Sequence, residues 1–446
     1  MILFVLKYLF RLHAVILIIG GLLVPVISHG GEPDDIPMPA RLVIYKAQQL
    51  MEKNEFAKAI GTLEKFQEKC KNLKPGKHDS KGCRHYLVEF NLGNCCLMIK
   101  DFSAAKAHYL STLSINPGFH SGWMNLAKCC YDMNEHAKAG HAFLKGYETA
   151  EPEKNPEMLY YGAVCFMSSG DNQKALGVFK RLLKLHSANV KLDWKEALAQ
   201  IYLACDQPRN ALPVIEELSE KTEGKKRKQW QEIRLHLYLS LDMNKKAFEY
   251  VNRLIQEYPL DPKWWKGLAH VYLRDNRYKG ALAALTVKSF LEPLTTREKR
   301  IVADLNMAID VPIQAVRFYE KIVKDKFEPD LAYRIAQGYI RLHRPEDALE
   351  CVEKGLLKEK NDQRLILIKG SLLYELEKYR KAAAAFEAAA SCGERKKQGR
   401  AWLMAGYAAW NAGDVKKSRL AFKKAVKYPK QKKAAQKALS QLDLNN

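Results

Sequence analysis

Through most of this chain, large apolar residues recur at intervals of three and four, lapse over a few polar residues, and then resume. The stretch from Pro262 to Pro293, PKWWKGLAHVYLRDNRYKGALAALTVKSFLEP, shows the unit most clearly. Trp265, Leu268, Ala269 and Tyr272 fall on one side of a helix, Asp275 and Asn276 interrupt it, and Ala281, Ala284 and Leu285 begin a second stripe that ends near Pro293. Small Ala269 and Ala281 stand where two antiparallel helices would cross, so the backbones can approach, and Trp265, Tyr272 and Leu285 fill the remaining space. A lone hairpin of this kind cannot bury its apolar face, so the pattern implies neighbours on both sides.

The neighbours are present. Anchored on the small residue of the second helix, the unit recurs at Ala59, Ala105, Ala139, Ala175, Ala211, Ala247, Ala281, Ala315, Ala348, Ala382 and Ser418. The spacing is 33 to 36 residues everywhere except the first interval, which is 46. The facing position of the first helix is Ala or Gly in every unit but one, where Leu235 stands. Four residues beyond the anchor come Tyr109, Phe143, Phe179, Leu285, Tyr319, Phe386 and Phe422. The long interval contains KCKNLKPGKHDSKGCR, rich in Lys, Gly and turn formers, which reads as an insertion between the first two hairpins. Beyond Pro429 the segment KQKKAAQKALSQLDL is helical by composition, with Ala434, Ala438, Leu439 and Leu442 on one side and lysines on the other.

With Pro262 as position one, the order aromatic at four, Leu at seven, small at eight, Tyr at eleven, Ala at twenty, large apolar at twenty-four and Pro at thirty-two resembles the tetratricopeptide repeat. Lys288 departs from it, standing where that family has a small residue. The expected fold is therefore all-α, a tetratricopeptide-repeat superhelical solenoid of about eleven hairpins over residues 40–429, closed by a capping helix and tail over 430–446.

Residues 1–30 carry Lys7 and Arg11, an apolar run from Ala14 to Ile27, and small Ser28 and Gly30. They read as a signal peptide or a retained signal anchor, followed by a linker over 31–39, and either reading makes the body an exported protein. In an exported protein Cys70 and Cys83, which bracket the insertion, could form a disulfide. The other eight cysteines occupy first-helix core positions or isolated sites and read as buried thiols. Nearby His108, His120, His136 and His141 lack any close Cys/His spacing that would hold a metal. No nucleophile elbow, phosphate-binding glycine loop, haem-attachment motif or zinc-protease helix occurs, so the expectation is a non-enzyme without cofactor or metal.

Lys and Arg exceed Asp and Glu by 23. From Glu394 to the C-terminus fourteen basic residues face three acids, so about half of the excess sits at one end. Lys416, Lys417, Lys423, Lys424, Lys427, Lys430, Lys432 and Lys433 form the basic patch expected to meet an anionic envelope surface or acidic protein, and no nucleic-acid partner is expected.

In tetratricopeptide-repeat proteins the first helices line the concave side, with positions two, five, nine, twelve and thirteen pointing into it. The resemblance implies an early groove of Phe90, Asn94, Met124, Lys128, Tyr131, Tyr160, Val164 and Met167, with Met124 and Val164 equally readable as packing. It implies a late groove of Lys266, His270, Arg274, Tyr333, Gln337, Arg341, Arg364, Tyr407 and Trp410. Asn94 and Asn125 fit the carboxylate clamp of chaperone-binding relatives, but Phe90 stands where that clamp has a lysine. Tyr258 to Leu439 is similar to the periplasmic repeat proteins associated with the bacterial TonB system. The residues that carry this are paired Trp264 and Trp265, Pro293 to Thr295, and Val311 to Ala315. That resemblance implies a periplasmic scaffold beside TonB, ExbB and ExbD. The alternatives are an envelope-assembly adaptor binding peptidoglycan or lipid, and a metal protein or enzyme using the Cys and His residues.

Overall fold

A computed structural model describes residues 36–71, 81–150, 154–323, 328–392 and 394–444. The expected signal segment, most of the linker and the centre of the insertion lie outside the described residues. Among the described residues the secondary structure is helical, with 23 α-helices and one short 3-10 turn. They pair as α1 (Met38–Glu52) with α2 (Phe56–Lys71), α3 (Tyr86–Met98) with α4 (Phe102–Ile115), α5 (His120–Asp132) with α6 (His136–Thr149), α7 (Glu157–Ser168) with α8 (Asn172–His186), and α9 (Leu192–Ala204) with α10 (Pro208–Lys221). Then come α11 (Gly224–Ser240) and, after it in sequence, α12 (Asn244–Glu257), followed by the pairs α13 (Pro262–Arg274) with α14 (Tyr278–Leu291), α15 (Thr296–Ala308) with α16 (Pro312–Val323), α17 (Pro329–Arg341) with α18 (Pro345–Lys358), α19 (Gln363–Glu375) with α20 (Tyr379–Ser391), and α21 (Arg395–Asn411) with α22 (Val415–Ala425). Helix α23 (Lys432–Leu444) follows the eleventh hairpin. The chain divides into two compact units between Leu237 and Tyr238, inside α11. That helix carries Leu235, the one large residue at the crossing position.

Every hairpin turns in the same way. The second residue after the first helix is left-handed in all eleven, with φ between 54° and 85°: Asn54, Lys100, Asn134, Gly170, Asp206, Asp242, Asn276, Asp310, His343, Glu377 and Gly413. The next amide in each case bonds back five residues, as Arg277 N does to the Tyr272 carbonyl at 2.9 Å and Lys378 N to that of Leu373 at 2.8 Å. This Schellman geometry satisfies carbonyls that the first helix leaves unpaired. Asn, Asp and Gly, which tolerate φ > 0, occupy eight of the eleven positions, so the turn chemistry recurs with the apolar pattern. Asp101, Asp171 and Asp414 follow directly and cap the second helices, their side chains accepting from Ala104, Lys174 and Lys417 N–H.

The crossings are tight. All eleven anchor residues, Ala59 through Ser418, are fully buried, and Ser418 Oγ donates to the Gly406 carbonyl at 3.0 Å. At the facing glycines the aromatic ring of the same hairpin comes too close for a side chain, whereas Ala127, Ala163 and Ala303 are accommodated opposite Phe143, Phe179 and Tyr319. A Cβ on Gly406 would lie 2.4 Å from the Phe422 ring, and one on Gly370 2.7 Å from the Phe386 ring. Trp264, rather than Trp265, is the buried indole of the seventh hairpin; Trp265 is half-buried and donates from Nε1 to the Pro259 carbonyl at 2.8 Å. Helix α23 buries Ala435, Ala438 and Leu442, while Ala434, expected on the packed side, is exposed. The solenoid begins at Met38, two residues inside the expected linker.

Candidate functional site

Three surfaces bear on function: the first-helix faces of the early hairpins, those of the late hairpins, and the C-terminal lysines.

The early face is mostly core. Phe90 is fully buried between Tyr109 (5.9 Å between ring centroids) and Phe119 (4.8 Å). Tyr160 is stacked on Trp194 at 5.0 Å, and Met124 and Val164 are buried. Asn94 is also buried, its Oδ1 accepting from Tyr109 Oη at 2.9 Å and Asn125 Nδ2 at 2.7 Å. These five residues therefore join successive hairpins and do not line an open groove. The reason is size: a large side chain at a first-helix position facing the next hairpin gains more from burial there than from exposure, about 1.5–3 kcal/mol for each large apolar group. Lys128, Tyr131 and Met167 remain partly accessible, with Lys128 Nζ 3.3 Å from Asp132.

A polar cluster lies beside this core. Gln67 Nε2 donates to Glu89 Oε1 at 2.7 Å, and His108 Nδ1 is 2.8 Å from Glu89 Oε2. Burial works to raise the Glu89 carboxyl, but the bonds from His108 and Gln67 hold it below the usual range. The Cys96 thiol and the Glu89 carboxylate raise His108 to about 9. Burial pushes the Cys95, Cys129 and Cys165 thiols up to about 12, so they are weak nucleophiles. The eight cysteines from Cys95 to Cys392 are free, whereas Cys70 and Cys83 are joined by a disulfide with Cα atoms 5.8 Å apart. Among the described residues no cluster of His, Cys, Asp or Glu is arranged to hold a metal, and no helix is long and apolar enough to cross a membrane.

The late face is open. Lys266, His270, Arg274, Arg341 and Arg364 are exposed, and Tyr333, Gln337, Tyr407 and Trp410 are half-buried. Several of the cations also tie one hairpin to the next. Arg274 reaches the turn residue Asp242 (2.6 Å), Arg341 donates to the Met307 carbonyl (2.7 Å) near turn residue Asp310, and Arg364 pairs with Asp362 (2.9 Å) above the Tyr333 ring (5.3 Å). Arg334, which the sequence pattern did not single out, bonds to Asp304 (2.6 Å) and Asp330 (2.9 Å). For Arg274 and Arg341 the sequence signal is an Arg at the end of one first helix and an Asp one repeat earlier in the turn; Arg334, in the middle of α17, carries no such mark.

Lys288, the departure from the repeat pattern, is buried. Its Nζ bonds to Glu298 Oε2 (3.0 Å), Glu292 Oε2 (3.1 Å) and the Pro293 carbonyl (3.2 Å). Glu298 closes a capping box with Thr295 and takes Lys266 Nζ on its other oxygen at 2.9 Å. Burial works to raise the Glu298 carboxyl, yet the Thr295 N–H, Lys266 and Lys288 bring it down to about 2.

A further feature was missed by the concave-face reading. A depression of about 650 Å³ opens between α4, α5 and α6, floored by Leu126, Cys130 and Ala142 and rimmed by Leu110, Leu144 and Lys138. The sequence signal is that Leu110 and Leu144 each stand five residues after the anchor of consecutive units, on second helices.

The chain matches the tetratricopeptide repeat family over residues 333–393 and 367–436. The turn and crossing geometry found there recurs in the other hairpins, so the described residues form an all-helical array of hairpins built like the matched repeat, a kind of repeat that generally mediates protein–protein interaction. No curated protein matches the chain. Solved structures similar to it include the tetratricopeptide-repeat protein YrrB, described as having an unusual peptide-binding site (18% identity, 42% of this chain and 96% of that one, TM-score 0.36). Others are a chain of the Naa15/Naa10 complex bound to HypK-THB (15%, 86% and 67%, TM-score 0.41) and a tetratricopeptide repeat protein from Parabacteroides merdae (19%, 56% and 98%, TM-score 0.36).

Proposed function

We propose that the chain is an exported, periplasmic scaffold that holds a partner protein along the open first-helix face of hairpins seven to eleven, as an accessory of TonB-dependent energy transduction. The observation that carries the surface is the contrast between the two faces: the early one is filled by its own side chains, while the late one leaves Lys266, His270, Arg274, Gln337, Arg341, Tyr407 and Trp410 accessible. Arginine and aromatic groups on a rigid surface are the types that anchor a partner segment. The TonB assignment is supported by the sequence features around Trp264, Pro293 and Val311, and the periplasmic location by the N-terminal segment.

The test is site-specific photocrosslinking in intact cells, with the crosslinker at Lys266, Gln337 or Trp410 and, as a control, at exposed Leu110. Capture of ExbB, ExbD or TonB from the first three sites but not the fourth is the expected result. Capture of other envelope proteins from those sites would keep the scaffold and remove the TonB assignment. Equal capture from all four would remove the surface.

A further inference from the structure

We propose that the C-terminal end of the array is a docking surface for an anionic phospholipid bilayer, formed by the outward face of α22, the connection after it, and α23. The terminal segment holds three acids, and each is already taken by an internal ion pair: Glu394 by Lys397 (3.1 Å), Asp414 by Lys417 (3.7 Å) and Asp443 by Arg419. Lys424 is held over the Trp402 ring at 3.9 Å. Among the described residues, Lys416, Lys423, Lys427, Lys430, Lys432 and Lys433 are exposed and in no ion pair. Lys416, Leu420 and Lys423 follow one another at helical spacing on α22 and Lys427 continues the series in the turn just beyond it, so this stripe presents three uncompensated cations around a leucine that is 56% exposed.

The chemistry of this stripe selects among anionic partners. Its free cations are lysines, which act as mobile point charges, and its lone arginine is occupied; the forked donors that read one carboxylate or phosphate stereospecifically are absent from the free set. The stripe lies on an outward helical face and surrounds an exposed aliphatic side chain. A fluid sheet of phosphate headgroups over acyl chains satisfies both features at once, with lysine stems lying in the interface and Leu420 entering below them. A rigid acidic protein would leave Leu420 exposed unless it also offered a pocket. Each lysine brought near an anionic leaflet changes partitioning roughly fivefold at low salt. This surface lies apart from the late first-helix face and does not depend on it.

The test is flotation of the full chain with vesicles of phosphatidylglycerol mixed with phosphatidylcholine, and with pure phosphatidylcholine vesicles. The comparison set is wild type, a Lys416→Gln/Lys423→Gln/Lys427→Gln/Lys430→Gln variant, L420Q, and a groove control, Gln337→Ala. The apolar N-terminal run is common to all four, so any insertion of it adds the same background. Far-UV circular dichroism confirms equal helix content. The expected result is wild-type binding that prefers anionic vesicles and falls with salt, a loss of roughly six-hundredfold in that preference at low salt for the four-lysine variant, a several-fold loss for L420Q that persists at high salt, and no change for Gln337→Ala. Equal binding of wild type to both vesicle types, or wild-type binding by the lysine variant, would overturn the proposal. So would failure to bind vesicles together with lysine-dependent retention on polyglutamate, which would make the partner an acidic protein.

Discussion

Replacing Lys288 by Met removes a buried cation from a site built around it. Lys288 and Glu298 have side chains only 3% and 5% exposed, and the substitution leaves the Glu298 carboxylate with Lys266 and the Thr295 N–H alone. Breaking one side of a buried pair costs about 3–5 kcal/mol, because the remaining charge stays desolvated. A second route gives the same scale: holding a carboxyl at about 2 against its usual 4.5 corresponds to roughly 3 kcal/mol in favour of the ionised form, shared among its partners. Repeat arrays do not unfold in one step, so the readout is native-state hydrogen exchange of the α14 and α15 amides. The expected outcome for Lys288→Met is a loss of about 3 kcal/mol of protection there at pH 7, with distant hairpins unchanged. The double variant Lys288→Met/Glu298→Gln should recover much of it, since the charges left without partners, Lys266 and Glu292, are exposed and none is buried. Because Glu298 has a depressed folded-state pKa, its stabilisation is present above about 4.5 and lost as pH falls toward 2. A loss below about 1 kcal/mol for the single variant, or a double variant worse than the single, would refute the account.

Other outcomes follow from the turns, crossings and clusters. Glu377→Gly and Lys100→Gly relieve left-handed strain at φ 56° and 64° and should each stabilise by up to about 1 kcal/mol, while Gly413→Ala should cost about as much, read as local exchange protection. Gly406→Ala forces a Cβ to 2.4 Å from Phe422, and Ala281→Trp fills a fully buried crossing; each should destabilise its hairpin by about 1–3 kcal/mol or more, and unchanged denaturation midpoints would contradict the packing. Reducing Cys70–Cys83, 13 residues apart, should weaken the first hairpin by about 3 kcal/mol on the loop-entropy account, and peptide mapping that finds both thiols free would remove the bond. NMR should find His108 titrating near 9 and, in Glu89→Gln, at a lower pH. Its stabilisation is complete below about 6.5 and disappears as pH rises through 9.

The repeat period, the hairpin count, the small residues at each crossing and the aromatic layer beyond them were all legible in the amino-acid order. Each follows from local helical periodicity and from side-chain volume at a fixed register, as the complete burial of Ala59 through Ser418 illustrates. Even the left-handed turn position has a local signature, since Asn, Asp and Gly dominate it. Neighbours in space decided the rest. Phe90, Asn94 and Tyr160 share register positions with accessible residues of later hairpins, and only the fit of one hairpin against the next turned them into core. Trp264 and Trp265 are adjacent in sequence and differ by one helical step, so which of them is buried depends on the second-helix surface each meets. Lys288 broke the sequence pattern; Glu292 stands at i+4 and was within reach of local spacing, but only the packing of α15 beside α14 brought Glu298 onto it and buried the pair. The charge surplus of the C-terminal segment could likewise be counted in advance. Two of its acids, Glu394 and Asp414, meet lysines three residues on, a pairing that spacing allows, but that Asp443 takes Arg419 and leaves the free lysines around Leu420 depends on how α22 and α23 pack together. Periodicity constrains which face a residue takes along its own helix; whether that face meets protein or solvent is set by the packing of elements distant in sequence.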